Sequence, residues 1–282
     1  MKKNQLEERF FKGVMLLSCG AVAGGLGAVL ATVIIKGLAG LSWELLTQTP
    51  KGGFYLGKEG GILNAIAGSL CLALGATALA ALIALPIALY LEIYKPGPRR
   101  SRVIRLSLDV MWGIPSIVYG AFGFTVMMLI GLRASLLGGI LTLTLLELPI
   151  MARAMDEVIK MIPLELKESS FALGVTRYEA AVEVIARQAL PGIVTGMLLA
   201  FGRGIGDAAS VLFTAGFTDR MPTSLFRPVA SLPLAVFFQL GMPYPEVQER
   251  AYASALVLTV IVLGVSLGSR LLARRLSRNV VQ

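Results

Sequence analysis

Two charged residues four positions apart, Arg203 and Asp207, lie inside a long apolar stretch, 191–214. As a helix, that stretch would place Arg203 about 18 Å from the membrane surface where the helix starts, close to the middle of a bilayer. A guanidinium at that depth costs roughly 2.5–3.5 kcal/mol, so it normally faces a bundle interior or a watery path and has a partner. The spacing predicts that Asp207 is this partner, in an intrahelical ion pair.

The pair has two interpretations. It could serve only to lock helix packing, as many buried ion pairs do. Alternatively, Arg203 lowers the barrier for an anion, while Asp207 holds the Arg203 rotamer and keeps the anion from binding too tightly to be released. Arginine can meet phosphate with two parallel hydrogen bonds, and sulfate and molybdate have the same geometry. Residue chemistry alone therefore indicates an oxyanion and does not choose among these three.

Further polar groups at membrane depth are candidates for the same path. Glu147 is expected to pair with a cation in a neighbouring helix or to be kept protonated by burial. Arg153, further along the same stretch, either lines the inner exit or extends its side chain to the lipid headgroups. Ser116 and Tyr119 offer hydroxyls where another apolar stretch begins, next to Pro115, which can start a helix. Packing is an equally good interpretation of these two residues.

The elements that must position these residues are apolar helices. Of the 282 residues, 56% are hydrophobic and 15% charged, and the mean hydropathy is +0.76, unlike a soluble domain of average usage. The fold class is predicted as all-α, a polytopic membrane protein with six transmembrane helices at 14–36, 66–91, 110–131, 135–155, 191–214 and 251–273. The first is interpreted as a retained anchor rather than a signal peptide. Cys19 and Cys71 are predicted to be small packing residues.

Lysine and arginine residues predict the orientation. With the N terminus inside, cytoplasmic segments hold 18 of the 26, Arg203 lies within a span, and the outer segments hold seven: Lys36, Lys51, Lys58, Arg133, Arg220, Arg227 and Arg250. This asymmetry predicts that both termini are cytoplasmic. It also explains the net charge of +9 without nucleic-acid binding. The membrane is expected to be a bacterial-type inner membrane. The predicted boundaries are a tail 1–13, a transmembrane domain 14–273 with a cytoplasmic loop 157–190 and a periplasmic loop 215–250, and a tail 274–282.

The cytoplasmic loop contains a polar helix-turn-helix pattern from Lys167 to Pro191. A glycine lies in the middle of this pattern. Four apolar side chains would be exposed to water if nothing covered them: Phe171, Leu173, Val175 and Tyr178. This combination favours a docking element for a partner over a simple connector. The periplasmic loop is rich in proline and contains the apolar run LPLAVFFQL, which is too short to span. It is predicted either to meet a substrate-delivery protein or only to cap the bundle.

Several motifs resemble one family. Glu168, Ser169 and Ser170 followed by Gly174 resemble the EAA motif of importer-type ABC permeases, in which a short cytoplasmic coupling helix docks on the ATPase. The stretches GIPSIVYG (113–120), RGIGDA (203–208) and GGILNAIAGSL (60–70) are similar to the phosphate-specific permeases, the A-type more than the C-type. Asp207 stands where the family has Glu, and Ala186 and Arg187 stand where it has Leu-Pro. The resemblance covers the chain from about residue 60 onward.

The resemblance implies a type I ABC importer permease that conducts phosphate by alternating access. It implies as partners a sister permease subunit, two ATP-binding subunits and a phosphate-binding protein outside the membrane, besides the membrane lipid. The chain has no Walker-type Gly-rich Lys loop, so ATP and Mg are expected in the partner subunits, with no cofactor or metal and no enzyme activity in this chain. The alternatives are a permease for another oxyanion and a non-transporting membrane scaffold or sensor that recruits a regulator.

Overall fold

The structure, a computed structural model, describes residues 2–51, 60–94 and 97–276, with side chains from residue 7 to residue 271 in those ranges. The long helices are α1 (Lys2–Ala39), α3 (Leu63–Leu89, continued by a π-helical turn Tyr90–Tyr94), α6 (Leu136–Lys160) and α11 (Pro245–Leu276). The shorter ones are α2 (Trp43–Thr47), α4 (Pro98–Trp112), α5 (Ser116–Leu129), α7 (Leu164–Ala172), α8 (Arg177–Gln188), α9 (Leu190–Ile205) and α10 (Leu232–Leu240). The described part of the chain contains no strand.

Four of these helices are long and apolar enough to cross a membrane: residues 7–39, 63–94, 136–160 and 245–271. Two bent pairs, α4 with α5 and α8 with α9, pass the same length and hydropathy criteria when each is counted as one span, which gives up to six. The chain is therefore an all-α, multi-pass membrane protein, as the sequence predicts.

The core is built on α3 and α6. Small residues of α3 share one face and are fully buried: Ala73, Ala76, Ala80, Ala84 and Ala88. Such a face lets a neighbouring membrane helix approach closely, and α6 packs along it with the fully buried Leu143, Met151 and Met155. By contrast, α1 packs along α11 at its C-terminal end and is otherwise exposed. Cys19 and Cys71, predicted to be small packing residues, are both exposed on the helix surface and are not packed inside this chain.

The span expected at 110–131 is wrong as a straight helix. The chain bends by 99° between α4 and α5, so residues 110–112 end a separate amphipathic helix. The cause is Gly113-Ile114-Pro115, since proline lacks an N–H and disfavours the helical conformation of the residue before it. α5 has 14 residues, about 21 Å of helix, which is shorter than a hydrocarbon core of about 30 Å.

The span expected at 191–214 is also shorter than predicted, because α9 ends at Ile205. Residues 206–215 form turns. Gly206 follows the helix, and the Asp207 carboxylate accepts a hydrogen bond from the Ser210 N–H at 2.8 Å. Short polar side chains that bond nearby backbone in this way compete with helix continuation. Glycine-rich sequence and this local bond together end the helix about two and a half turns before the predicted boundary.

The observed helices extend into the predicted loop and tails, because the helical conformation continues past the apolar stretches. α1 begins at Lys2, so residues 2–13 of the predicted tail are helical, and α6 continues to Lys160 inside the predicted loop 157–190. α11 continues to Leu276, and residues 277–282 of the predicted tail lie outside the described residues. Charged residues such as Glu, Lys and Arg are good helix formers, so polarity alone does not end a helix.

The predicted loop 215–250 contains α10, which is inserted into the protein. Leu232, Leu234 and Ala235 are fully buried, and the Leu232 N–H donates to the Ser69 hydroxyl of α3 at 2.8 Å. The same loop also holds the first turns of α11. Most of the LPLAVFFQL run therefore packs against α3 and α11, although Phe237 at its centre is exposed.

Candidate functional site

Arg203 and Asp207 form an ion pair, with 3.7 Å between the Arg203 Nη2 and an Asp207 carboxylate oxygen. The pair is predicted by the sequence, but it is not intrahelical, because Arg203 lies in the last turn of α9 and Asp207 lies beyond its end. The Arg203 side chain is 53% exposed and the Asp207 side chain 5%. Within the described ranges the guanidinium has no other polar partner, so most of its donors face open space.

Glu147 lies at a junction of three helices and is fully buried. The Thr77 hydroxyl of α3 donates to its Oε2 at 2.8 Å, and its Oε1 has no hydrogen-bond partner in the described part of the chain. That oxygen is directed at Gly204 of α9, where a Cβ would collide with it. No cation pairs with Glu147 among the described residues, so the expected ion pair with a neighbouring helix is wrong. A protonated carboxyl remains a prediction.

Ser116 and Tyr119 lie at the start of α5, and their side chains differ in exposure and hydrogen bonding. Ser116 is the first residue of the helix and is partly exposed. The Tyr119 hydroxyl donates to the Met111 carbonyl at 2.7 Å, and its side chain is buried. Tyr119 thus fixes the corner between α4 and α5, which agrees with the packing interpretation.

α5 also contacts the turn that follows Asp207. A Cβ on Gly120 would stand 2.7 Å from the Ala209 carbonyl oxygen, so glycine is required at this close approach. Similarly, Gly204 allows α9 to approach Glu147 of α6. The structure therefore brings Arg203, Asp207, Glu147 and the start of α5 to one region where α3, α5, α6 and α9 meet.

Arg153 belongs to a separate group at the far end of α6. Its Nε is 2.9 Å from Asp109 of α4, and its Nη1 is 3.2 Å from Asp156 and 3.6 Å from Glu157. The side chain is therefore held by carboxylates and is not extended to the headgroups. This cluster was not predicted from the sequence, in which Arg153 is separated from Asp109 by 44 positions. The available signal was the presence of both basic and acidic residues in neighbouring helices.

The coupling hairpin, residues 164–188, has the predicted helix-turn-helix form. α7 is followed by Gly174 with φ +82°, a left-handed conformation that glycine adopts without strain. Thr176 and Glu179 then form a capping box at the start of α8: Glu179 N–H donates to Thr176 Oγ1, and Thr176 N–H donates to the Glu179 carboxylate. The second helix thus begins at Arg177, well before the position where Arg187 replaces the family proline.

The outer surface of the hairpin offers both polar and apolar groups. Glu168 and Ser169 are exposed, whereas Ser170 is buried, and both serine hydroxyls donate to carbonyls four residues earlier in α7. Leu173 is 84% and Tyr178 is 68% exposed, and Phe171 also faces outward. Large apolar side chains left exposed beside polar ones are typical of a surface that meets another protein.

Broken membrane helices that meet around buried polar groups define a membrane transport protein, and the exposed hairpin marks it as one that docks a partner. Residues 84–282 match the model of the family described as binding-protein-dependent transport system inner membrane component. The chain is 36% identical, over 86% of its length and 84% of the relative's, to the phosphate transport system permease protein PstA of Xylella fastidiosa (strain 9a5c).

A second relative is the probable ABC transporter permease protein YqgI of Bacillus subtilis (strain 168). It is 30% identical to this chain, over 94% of this chain and 95% of the relative's length. Among solved structures, a chain of the MetNI methionine ABC transporter superposes with a TM-score of 0.63 over 76% of this chain and 95% of that one, at 18% identity. That likeness concerns the fold. The chain belongs to the family of binding-protein-dependent transport system inner membrane components, and is a transport permease subunit.

Proposed function

We propose that this chain is a membrane subunit of an ATP-driven phosphate importer and forms part of its translocation path. The observation that carries the proposal is Arg203, whose guanidinium is half exposed and bound on one side only, by a carboxylate that is itself held in place. The name of the Xylella relative, a phosphate transport system permease, supports phosphate as the cargo.

The arrangement around Arg203 suits transient binding of an oxyanion. The unfilled guanidinium donors can meet two phosphate oxygens with parallel hydrogen bonds. Asp207, whose other oxygen is occupied by the Ser210 N–H, stays beside the guanidinium and offsets part of its charge. An anion is then attracted enough to enter and weakly enough to leave. Glu147 positions the last turn of α9, through Gly204, and has no direct role in binding the anion.

The energy for transport comes from partners that dock on the coupling hairpin. Its exposed surface carries Glu168, Ser169, Leu173 and Tyr178 beside the Gly174 turn. We infer that one of the two ATP-binding subunits of the complex docks there, that a sister permease packs against this chain within the membrane, and that a phosphate-binding protein docks on the other side. Both termini are cytoplasmic in this arrangement, which the distribution of Lys and Arg supports.

Uptake by the reconstituted complex tests the proposal. The permease pair and ATPase, in proteoliposomes with the binding protein supplied, should accumulate labelled phosphate only when ATP is present. Parallel assays with sulfate and molybdate identify the cargo, since uptake of one of these instead of phosphate would show a different oxyanion permease. ATP-independent binding with no accumulation of any of the three would favour a scaffold or sensor.

Substitution of Gly174 should disrupt docking of the ATPase. Gly174→Leu forces a large side chain into a left-handed conformation, which costs about 1–2 kcal/mol, and adds bulk at the hairpin tip. We expect co-purification of the ATPase subunits to be lost. The Cβ itself would meet no atom of the described residues within 4 Å, so a clash with them would not explain the loss.

Gly174→Asn is the matched control, because asparagine tolerates the left-handed conformation better than other side chains. It should keep most of the ATPase bound. Wild-type stoichiometry in the Gly174→Leu complex would show that the turn is not part of the docking surface.

A further inference from the structure

Among the described residues, eight charged side chains form one cluster that joins the π-helical turn after α3 to α4, α6 and α7. Four are carboxylates and four are cations, so the group is formally neutral: Glu92, Asp109, Asp156 and Glu157 with Arg105, Arg153, Lys160 and Lys167. The cluster lies apart from Arg203, and its members connect four elements that are distant in sequence. A network of this kind can carry motion from one element to another.

The centre of the cluster is the contact between Arg105 of α4 and Asp156 of α6. Arg105 donates from Nε and Nη2 to the two Asp156 oxygens at 2.8 and 3.0 Å, a bidentate pair. Asp156 is fully buried and also lies 3.2 Å from both the Arg153 guanidinium and the Lys160 ammonium. The bidentate geometry fixes α4 against α6 at this point.

Glu92, in the π-helical turn after α3, links this centre to the coupling hairpin. Its Oε1 accepts a hydrogen bond from Arg105 Nη2 at 2.6 Å, and its Oε2 is 3.7 Å from the Lys167 ammonium of α7. The Lys167 side chain is 9% exposed, and its ammonium also donates to the Ile159 carbonyl at 3.5 Å. A lysine buried this far inside the hairpin moves with it, so α7 cannot shift without displacing Glu92 or breaking the pair.

α4 in turn is joined to the path through the corner at residues 113–115. The Tyr119 hydroxyl, bound to the Met111 carbonyl, holds the first turn of α5 to the end of α4. Because this bond closes the 99° bend, a displacement of α4 reorients α5. α5 then contacts the turn that follows Asp207 at Gly120.

We propose that Glu92 and Arg105 are positioning residues that pass movement of the coupling helix α7 to α4 and, through the α4–α5 corner, to the region of Arg203. This inference rests on the proposed function, since it assigns the residues that couple ATP use to transport. The pair acts through α5 and does not touch the anion. Loss of the link leaves the ATPase docked and active but disconnected from the path.

Glu92→Gln in the complete reconstituted complex tests this. We expect phosphate transported per ATP hydrolysed to fall by about tenfold, with ATPase activity within about twofold of wild type. Glu92→Asp keeps the charge with one methylene less reach and should recover part of the ratio. Glu157→Gln is the matched control, because Glu157 is a mostly exposed carboxylate of the same cluster whose ion pairs are with Arg153 and Lys160 of its own helix.

A distance measurement makes the test independent of the cargo. Spin labels at Glu165 of α7 and Leu129 at the far end of α5 are placed on exposed sites, with Cys19 and Cys71 replaced by serine. ATP should change this distance by the same amount in wild type and in Glu157→Gln, and by a different amount in Glu92→Gln, where α7 still moves but the α5 end no longer follows it. An unchanged ratio and distance response in Glu92→Gln, equal loss in Glu157→Gln, or loss of ATPase co-purification in Glu92→Gln would each overturn the assignment. Failure of wild-type phosphate uptake with a normal distance response would refute only the proposed cargo.

Discussion

Arg203→Gln should reduce ATP-driven phosphate uptake by about 30-fold, because a hydrogen bond to a charged group contributes ~2 kcal/mol and the amide restores neither the charge nor the two parallel donors. Among the described residues Arg203 has one ion-pair partner, Asp207, and its side chain is half exposed. The substitution therefore removes the group that attracts the anion without leaving a cavity. Uptake into proteoliposomes at several phosphate concentrations measures the effect.

Two variants make the result specific to the site. Arg203→Lys keeps the positive charge but loses the bidentate geometry, so uptake should be intermediate. Arg133→Gln removes an exposed arginine between α5 and α6 and should leave uptake near wild type. Intact uptake in Arg203→Gln would refute the anion-path role and favour the alternative that the pair with Asp207 only locks packing.

Gly204→Ala should destabilise the protein and abolish most transport. A Cβ at this position would collide with the carboxylate of Glu147, whose other oxygen is held by Thr77 and which has no exposed space to move into. Overpacking of this kind costs about 1–3 kcal/mol. We expect the melting temperature of the purified complex to fall by about 5 °C, with α9 and Arg203 displaced.

Gly202→Ala is the matched control on the same helix, since a Cβ there would meet no atom of the described residues within 4 Å. Alanine is the better helix former by about 0.8–1 kcal/mol, so this variant should be at least as stable as wild type. In a Glu147→Ala background, Gly204→Ala should be tolerated, because the colliding carboxylate is gone. If Gly204→Ala lowers stability equally in both backgrounds, Glu147 is not what limits the space.

Much of the architecture follows from apolar patterning. The stretch predicted at 66–91 lies within α3 and the π-helical turn that continues it, and the stretch 135–155 lies within α6 and its N-cap Ser135. The hairpin with its glycine turn forms as residues 167–191 indicate. The patterning failed at 110–131 and 191–214, where apolar residues continue but the backbone does not stay helical. Hydropathy averages over a window, whereas a single proline or an Asp207 side chain bonded to backbone ends a helix locally.

The candidate site was predicted in part. Arg203 and Asp207 pair as expected because four residues separate them, and this distance is short enough even after the helix has ended. For Glu147, the sequence shows a charge at membrane depth. It does not show that this side chain contacts Thr77 and Gly204, which are 70 and 57 positions away along the chain. Nothing in the sequence distinguishes Glu92, Arg105 and Asp156 from other charged residues, because their contacts form only when three helices pack together.

The sequence by itself determined the membrane class, the docking hairpin and the residues able to meet an oxyanion, because hydropathy, turn glycines and residue types are local properties of the chain. The tertiary structure decided which charges are partners. Arg153 and Arg105 are held by carboxylates from other helices, while most of the donors of Arg203 remain open. Those differences depend on which helix ends meet and on how closely glycines let them approach, and neither is encoded in the spacing of any one segment.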